Sequence, residues 1–111
     1  MDYEGFCELV ERACFNSWRT VIGRDNYKLG LINSVIFTRS RNDTKWDFSF
    51  GVRYGKTWCQ FSCDMEPLEY DILSIGKPGT YDPGRDMSPE NRAQDMASVL
   101  LAGVVERLKE V

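Results

Sequence analysis

The chain has 111 residues, 42% of them hydrophobic and 28% charged, with a net charge of −3. That length suits one domain spanning residues 1–111 with a single core, and the composition excludes the disordered and fibrous classes. No apolar run approaches the roughly 20 residues of a membrane span, and the opening Met-Asp-Tyr-Glu lacks the basic and apolar regions of a signal peptide, so a cytoplasmic protein without membrane contact is expected.

Residues 2–22 predict an amphipathic helix. Phe6, Leu9, Val10, Ala13, Cys14, Ser17 and Val21 return at three- and four-residue steps, and Asp2 and Glu4 sit in the first turn, where the helix dipole favours acid. Residues 23–30 connect this helix to a sheet. Residues 31–39 make a first strand, and residues 40–43 have the composition of a four-residue hairpin loop. That loop sets Phe37 opposite Trp46, Val35 opposite Phe48 and Leu31 opposite Val52.

The clearest signal is the next hairpin, residues 45–63. If Gly55 and Lys56 form the two-residue turn, with glycine supplying a positive φ, then Tyr54 faces Thr57, Val52 faces Cys59, Phe50 faces Phe61 and Phe48 faces Cys63. Opposed residues share a face, so Trp46, Phe48, Phe50, Val52, Tyr54, Cys59, Phe61 and Cys63 line a core side. Lys45, Asp47, Ser49, Gly51, Arg53, Trp58, Gln60 and Ser62 line the other, and a one-residue slip would exchange the two sets. At about 1.5–3 kcal/mol per large apolar side chain, the core side supplies on the order of 10 kcal/mol of gross burial, most of it cancelled by chain entropy. It requires a cover.

Residues 65–75 suit either a strand or a helix, and the balance favours a fourth strand over 69–75. Residues 76–87 hold three glycines and two prolines and read as loop. Ser88, Pro89 and Glu90 then announce a final helix as N-cap, first helical residue and dipole partner. Ala93, Met96, Ala97, Leu100, Leu101, Val104 and Leu108 form its stripe, and Val99, Ala102, Gly103 and Val105 carry apolar surface around it. A helix apolar on all sides is buried on more than one side. Either the N-terminal helix and the sheet sandwich it, or Val99, Leu101, Gly103 and Val105 form a homodimer seam. Gly103, at about 1 kcal/mol worse than alanine in a helix, marks a close approach.

The chemistry available is narrow. Histidine is absent, which removes the commonest general base and metal ligand and the Ser-His and Cys-His nucleophile pairs. Cys7 and Cys14 lie roughly 10 Å apart along a helix, and Cys59 and Cys63 roughly 13 Å apart along a strand. Neither pair reaches the separation of about 7 Å or less that a disulfide needs, so buried free thiols are expected. A cross-element disulfide or a four-thiolate site is the competing arrangement, with no C-x-x-C spacing behind it. The acidic sets Glu66, Glu69, Asp71 and Asp82, Asp86 match no calcium loop or nuclease centre. The loop at 76–85 precedes a helix N-terminus but lacks phosphate-loop spacing and carries acid. No catalytic residue, metal or cofactor is expected.

Charge is uneven along the chain: −2 over residues 1–22, +4 over 23–63 and −5 over 64–111. On the polar sheet face Trp58 lies opposite Arg53, with Lys45, Gln60 and the flat position Gly51 nearby and Arg41 in the preceding loop. Trp58 and Arg53 either form a self-contained cation–π pair worth about 0.5–1 kcal/mol or anchor a protein interface, where both residue types are enriched. A single-stranded nucleic-acid platform, with Trp58 stacking and Arg53, Lys45 and Arg41 on phosphates, is the alternative. An acidic chain with pI near 4.9 argues against it.

The expected fold is therefore α+β, a two-layer sandwich of order α-β-β-β-(β)-α with both helices on one face of an antiparallel sheet. This order and the acidic balance resemble small secretion-chaperone-like domains, and the resemblance implies a dimeric protein binder. The expected function is a non-enzymatic protein-interaction module, an adaptor, chaperone-like protein or inhibitor such as phages and mobile elements encode. Its partner would bind through Trp58, Arg53, Lys45, Gln60 and Arg41, with nucleic acid or a nucleotide as the alternative ligand.

Overall fold

Both terminal helices start where their side chains can hold free backbone donors. The computed structural model describes residues 2–24, 29–67, 72–75 and 88–111. Helix α1, Tyr3–Gly23, is capped by Asp2, whose carboxylate accepts from Gly5 N at 2.8 Å. Helix α2, Pro89–Leu108, is capped by Ser88, whose hydroxyl accepts from Asn91 N at 3.2 Å, with Pro89 in the first turn. Each cap is worth about 1 kcal/mol.

Between them a short 3-10 turn, Leu29–Leu31, leads into four antiparallel strands: β1, Ile32–Arg41; β2, Trp46–Tyr54; β3, Thr57–Pro67; and β4, Ile72–Ile75. They form a meander in the order β1-β2-β3-β4. The α+β architecture with the helices packed on the sheet is the expected one. Helix α2 lies on β2 and β3, and α1 packs beside it on the same face.

The β2–β3 register is the expected one at every pair, with Tyr54 opposite Thr57, Phe50 opposite Phe61 and Phe48 opposite Cys63. Gly55 takes φ 62° at the turn, a left-handed conformation that glycine adopts without steric penalty. Strand β3 runs past the expected end at residue 63 and places Met65, fully buried, opposite Trp46. Residues 72–75 do pair as a fourth strand, Met65 opposite Ile75. The loop at 76–87 and the carboxylates Glu69, Asp71, Asp82 and Asp86 lie outside the described residues.

The β1–β2 register departs from expectation by four positions. Phe37 faces Phe50 and Val35 faces Val52, while Trp46 faces Arg41. The four-residue connection falls at 42–45, two positions later than expected, where the Asn42 side-chain oxygen accepts from Thr44 N at 2.9 Å and Lys45 N at 2.8 Å. Leu31 also moves: an irregularity between Ile32 and Ser34 turns Ile32 toward the core side, and Leu31 is exposed in the 3-10 turn instead of facing Val52.

The core is dominated by rings and by α2. Phe6, Phe48, Phe50, Val52, Met96, Leu100 and Val104 are all buried at 1% exposure or less. Phe6 meets Phe48 edge-on at 5.8 Å, and Phe37 stacks on Phe48 at 6.2 Å, spacings at which ring pairs add about 0.5–1.5 kcal/mol beyond area burial. The buried stripe of α1 runs through Tyr3, Phe6, Cys7, Val10, Cys14, Trp18 and Ile22. Leu9, Ala13, Ser17 and Val21, expected on that stripe, are half-buried at its border.

Helix α2 is buried along a broad stripe, while Asn91, Gln94, Asp95, Ser98, Val99, Ala102 and Glu106 form an exposed side. Leu101, Gly103 and Val105 are buried inside the chain, and a Cβ added at Gly103 would overlap the Phe61 ring. These three residues are thus internal packing and not the surface seam expected of them; of the four, Val99 alone is exposed.

Candidate functional site

The sheet has one face under the helices and one left open by the described residues. Alternation along the strands places Ser34, Ile36, Thr38, Asp47, Ser49, Gly51, Arg53, Trp58, Gln60, Ser62 and Asp64 on the open face. Most of these side chains are small or polar. Trp58, 37% exposed, and Ile36, 45% exposed, are its large apolar groups among the described residues.

Trp58 is held in a defined position. Its Nε1–H donates to Gln60 Oε1 at 2.8 Å, and Gln60 Nε2 in turn donates to Ser49 Oγ at 2.6 Å. The six-membered ring of the indole lies over Gly51, where any Cβ would collide with it. Gly51 is the cross-strand neighbour of both Ile36 and Gln60, so the ring spans the middle strand toward Ile36. Hydrogen bonds and the missing side chain fix an aromatic surface that is still more than a third open to solvent.

The expected site residues divide between the two faces. Arg53 is exposed directly opposite Trp58, but the indole leans away from it toward Gly51. The cation–π contacts among the described residues are Arg19 on Trp18 and Arg39 and Arg41 on Tyr3. Lys45 sits at the rim, its Nζ 3.3 Å from Asp64 Oδ2. Arg41 is a correction: it pairs with Trp46 on the helix side of the sheet, its guanidinium 4.5 Å from the Tyr3 ring centre. The physical reason is the extra length of β1, which carries alternation through Arg39 and Arg41 on the core side. Sequence reasoning missed Ile36, Ser49 and the seating role of Gly51; the even spacing of Ile36 from Ser34 and Thr38 was the available signal for the first.

Around Tyr3 a second polar cluster forms on the other face. Arg39 reaches Glu4 at 2.6 Å, an exposed ion pair worth about 0–1 kcal/mol. The Tyr3 ring meets Trp46 edge-on at 5.1 Å, and burial, with the Cys7 hydrogen bond behind it, pushes its hydroxyl up to about 12. Cys7, Cys14 and Cys59 are buried, Cys63 is half-buried, and none of the four is in a disulfide. Burial pushes the Cys14 thiol up to about 12 and raises that of Cys59, the opposite of what a nucleophilic cysteine requires. Among the described residues no group of three or more Cys, Asp or Glu is placed to hold a metal ion, and no helix is long and apolar enough to cross a membrane.

No protein-family model, curated protein or solved structure matches the chain.

Proposed function

We propose that this chain is a non-enzymatic, cytoplasmic protein-interaction module, an adaptor or inhibitor that binds a partner protein through the open face of its sheet. The observation that carries the reading is the seating of Trp58: the indole is immobilised over Gly51 by the Gln60–Ser49 relay before any partner arrives. A rigid, half-exposed tryptophan loses little side-chain entropy on binding, and tryptophan is enriched where truncation costs an interface 2 kcal/mol or more. Ile36 extends its apolar surface, small residues such as Ser34, Ser49 and Ser62 let a partner approach closely, and Arg53 and Lys45 supply polar contacts at the rim.

Charge placement favours a protein over a nucleic acid. Of the basic residues that made the sheet segment positive, Arg39 and Arg41 are on the helix side, Arg39 already meets Glu4, and Lys45 meets Asp64. Asp47 and Asp64 share the open face with Arg53, so a phosphate backbone crossing Trp58 would meet about as much acid as base.

The test is affinity capture from the native host with a photo-crosslinking residue at Ser62, comparing wild type with Trp58→Ala and Arg53→Glu, followed by titration of the purified partner. Capture and crosslinking that both substitutions leave unchanged refute the reading. Titration of labelled single-stranded oligonucleotide in parallel serves as the other arm: binding that collapses with salt and with Trp58→Ala transfers the same face to nucleic acid.

A further inference from the structure

The two edges of the sheet are unlike. Strand β4 is a short edge of four residues, whereas β1 is an edge of ten with a backbone partner only on its β2 side among the described residues. Natural sheets blunt long edges with proline, charge or a bulge because unpaired N–H and C=O groups template further pairing. Here the irregularity near Asn33 and the charges at Arg39 and Arg41 guard the two ends of β1. The stretch between them, Ser34-Val35-Ile36-Phe37-Thr38, has neither charge nor proline and is rich in β-branched and aromatic residues.

The hairpin geometry sets which backbone groups are free. In a two-residue hairpin the flanking residues, Tyr54 and Thr57, exchange hydrogen bonds, so alternate residues of β2 point toward β1. Ser34, Ile36 and Thr38 consequently bond to Arg53, Gly51 and Ser49, while Val35 and Phe37 turn their N–H and C=O outward. The side chains at this edge are also incompletely covered: Val35 and Phe37 are half-buried, and Ile36, at 45% exposure, and Phe15 of α1, at 41%, are exposed.

We propose that β1 pairs antiparallel with β1 of a second copy of this chain, joining two four-stranded sheets into one across a two-fold axis at Ile36. In this register Val35 of each copy lies opposite Phe37 of the other and both exchange their outward backbone bonds, an aromatic and β-branched cross-strand pair of the favoured kind. Ile36 meets its own copy on the open face, and Thr38 meets Ser34. Arg39 and Arg41 fall beyond the paired stretch, so no like charges are opposed, and Arg39 is neutralised by Glu4 of its own chain. The interface is isologous and closes on itself, which gives a dimer and not a fibre. The pairing leaves the helices on one side of the joined sheet and both Trp58 faces on the other, and it stands whether or not those faces bind a partner protein.

A charge placed at the axis necessarily meets itself. Ile36→Lys and Ile36→Glu, both at an exposed position, are examined beside wild type and Trp58→Ala by sedimentation velocity at tens of micromolar, with circular dichroism confirming the fold of each. Wild type and Trp58→Ala sediment as dimers, each Ile36 variant alone sediments as a monomer, and an equimolar mixture of the two variants regains the dimer mass. A monomeric wild type, dimers that persist in both Ile36 variants, a mixture that remains monomeric, or loss of the dimer in Trp58→Ala each overturns the proposal.

Discussion

Replacing Gly103 by alanine sets two known effects against each other. In a helix interior alanine is favoured over glycine by about 0.8–1.0 kcal/mol, so propensity alone predicts a stabilised protein. The added methyl, however, would sit against the root of the Phe61 ring, more than about 1 Å closer than the roughly 3.5–4.0 Å at which carbon atoms rest. The atoms it meets include Cγ, which cannot swing aside without moving β3, and β3 is held on both edges by β2 and β4. Overpacking of this kind costs about 1–3 kcal/mol, and a clash with a ring root belongs at the upper end. The net expectation is a loss of about 2 kcal/mol, or roughly 8 °C in Tm for a domain of this size.

A double-mutant cycle read by urea unfolding isolates the contact. In a Phe61→Ala background, itself destabilised by about 3 kcal/mol at a half-buried site, the obstacle is gone and Gly103→Ala becomes stabilising by up to about 1 kcal/mol. The coupling between the two positions is then about 3 kcal/mol, at the top of the range for residues in contact. A Gly103→Ala protein as stable as wild type, or a penalty that persists without the ring, refutes the argument that Phe61 is what fixes glycine here.

Gly51→Thr changes urea stability by no more than about 1 kcal/mol, because the position faces the open side and threonine suits a central strand; it displaces the indole, which tryptophan emission reports as a red shift. Alkaline stability is set by groups that must stay neutral when folded. The Cys14 thiol rises from 9.0 and the Tyr3 hydroxyl from 10.0, each to about 12. Their folded values lie above the unfolded ones, so their contribution is complete below pH 9 and is lost as pH climbs toward 12. In urea midpoints measured against pH, Cys14→Ala reduces the part of the decline that begins near pH 9, where Cys59 also contributes, and leaves the part that begins near pH 10.

The faces of β2 and β3 could be read before the structure, and the longer-range placements could not, for reasons tied to particular residues. Gly55 and Lys56 admit one turn geometry, and that turn dictates the whole β2–β3 register. The β1–β2 turn was ambiguous because Ser40, Arg41, Asn42 and Asp43 are all acceptable loop residues, and the decision rests on the bonds that Asn42 makes to Thr44 and Lys45. The resulting error of four positions is even, so Val35 and Phe37 kept their face while Arg41 changed its role. On α2 the same apolar surface that reads as a seam also reads as a sandwich, since periodicity reports that a side chain is covered and not by what. Gly103 was the informative residue there: the close approach it marks is real, and Phe61 of the same chain makes it.

Gly51 and Gly103 then separate what folding requires from what it does not. Both lie beneath an aromatic ring of β3, Trp58 on one face and Phe61 on the other. At Gly103 the ring comes from the core, and glycine is the residue that lets α2 sit against the sheet. At Gly51 the ring comes from the open side, where a larger residue would strengthen a middle strand and Trp58 could simply extend into water. Glycine within a strand is unfavourable by roughly 0.5–1 kcal/mol relative to alanine, and no buried neighbour offsets that at position 51. Departures from local rules without a folding gain concentrate at functional positions, and what this one achieves is a flat, fixed presentation of Trp58 beside Ile36.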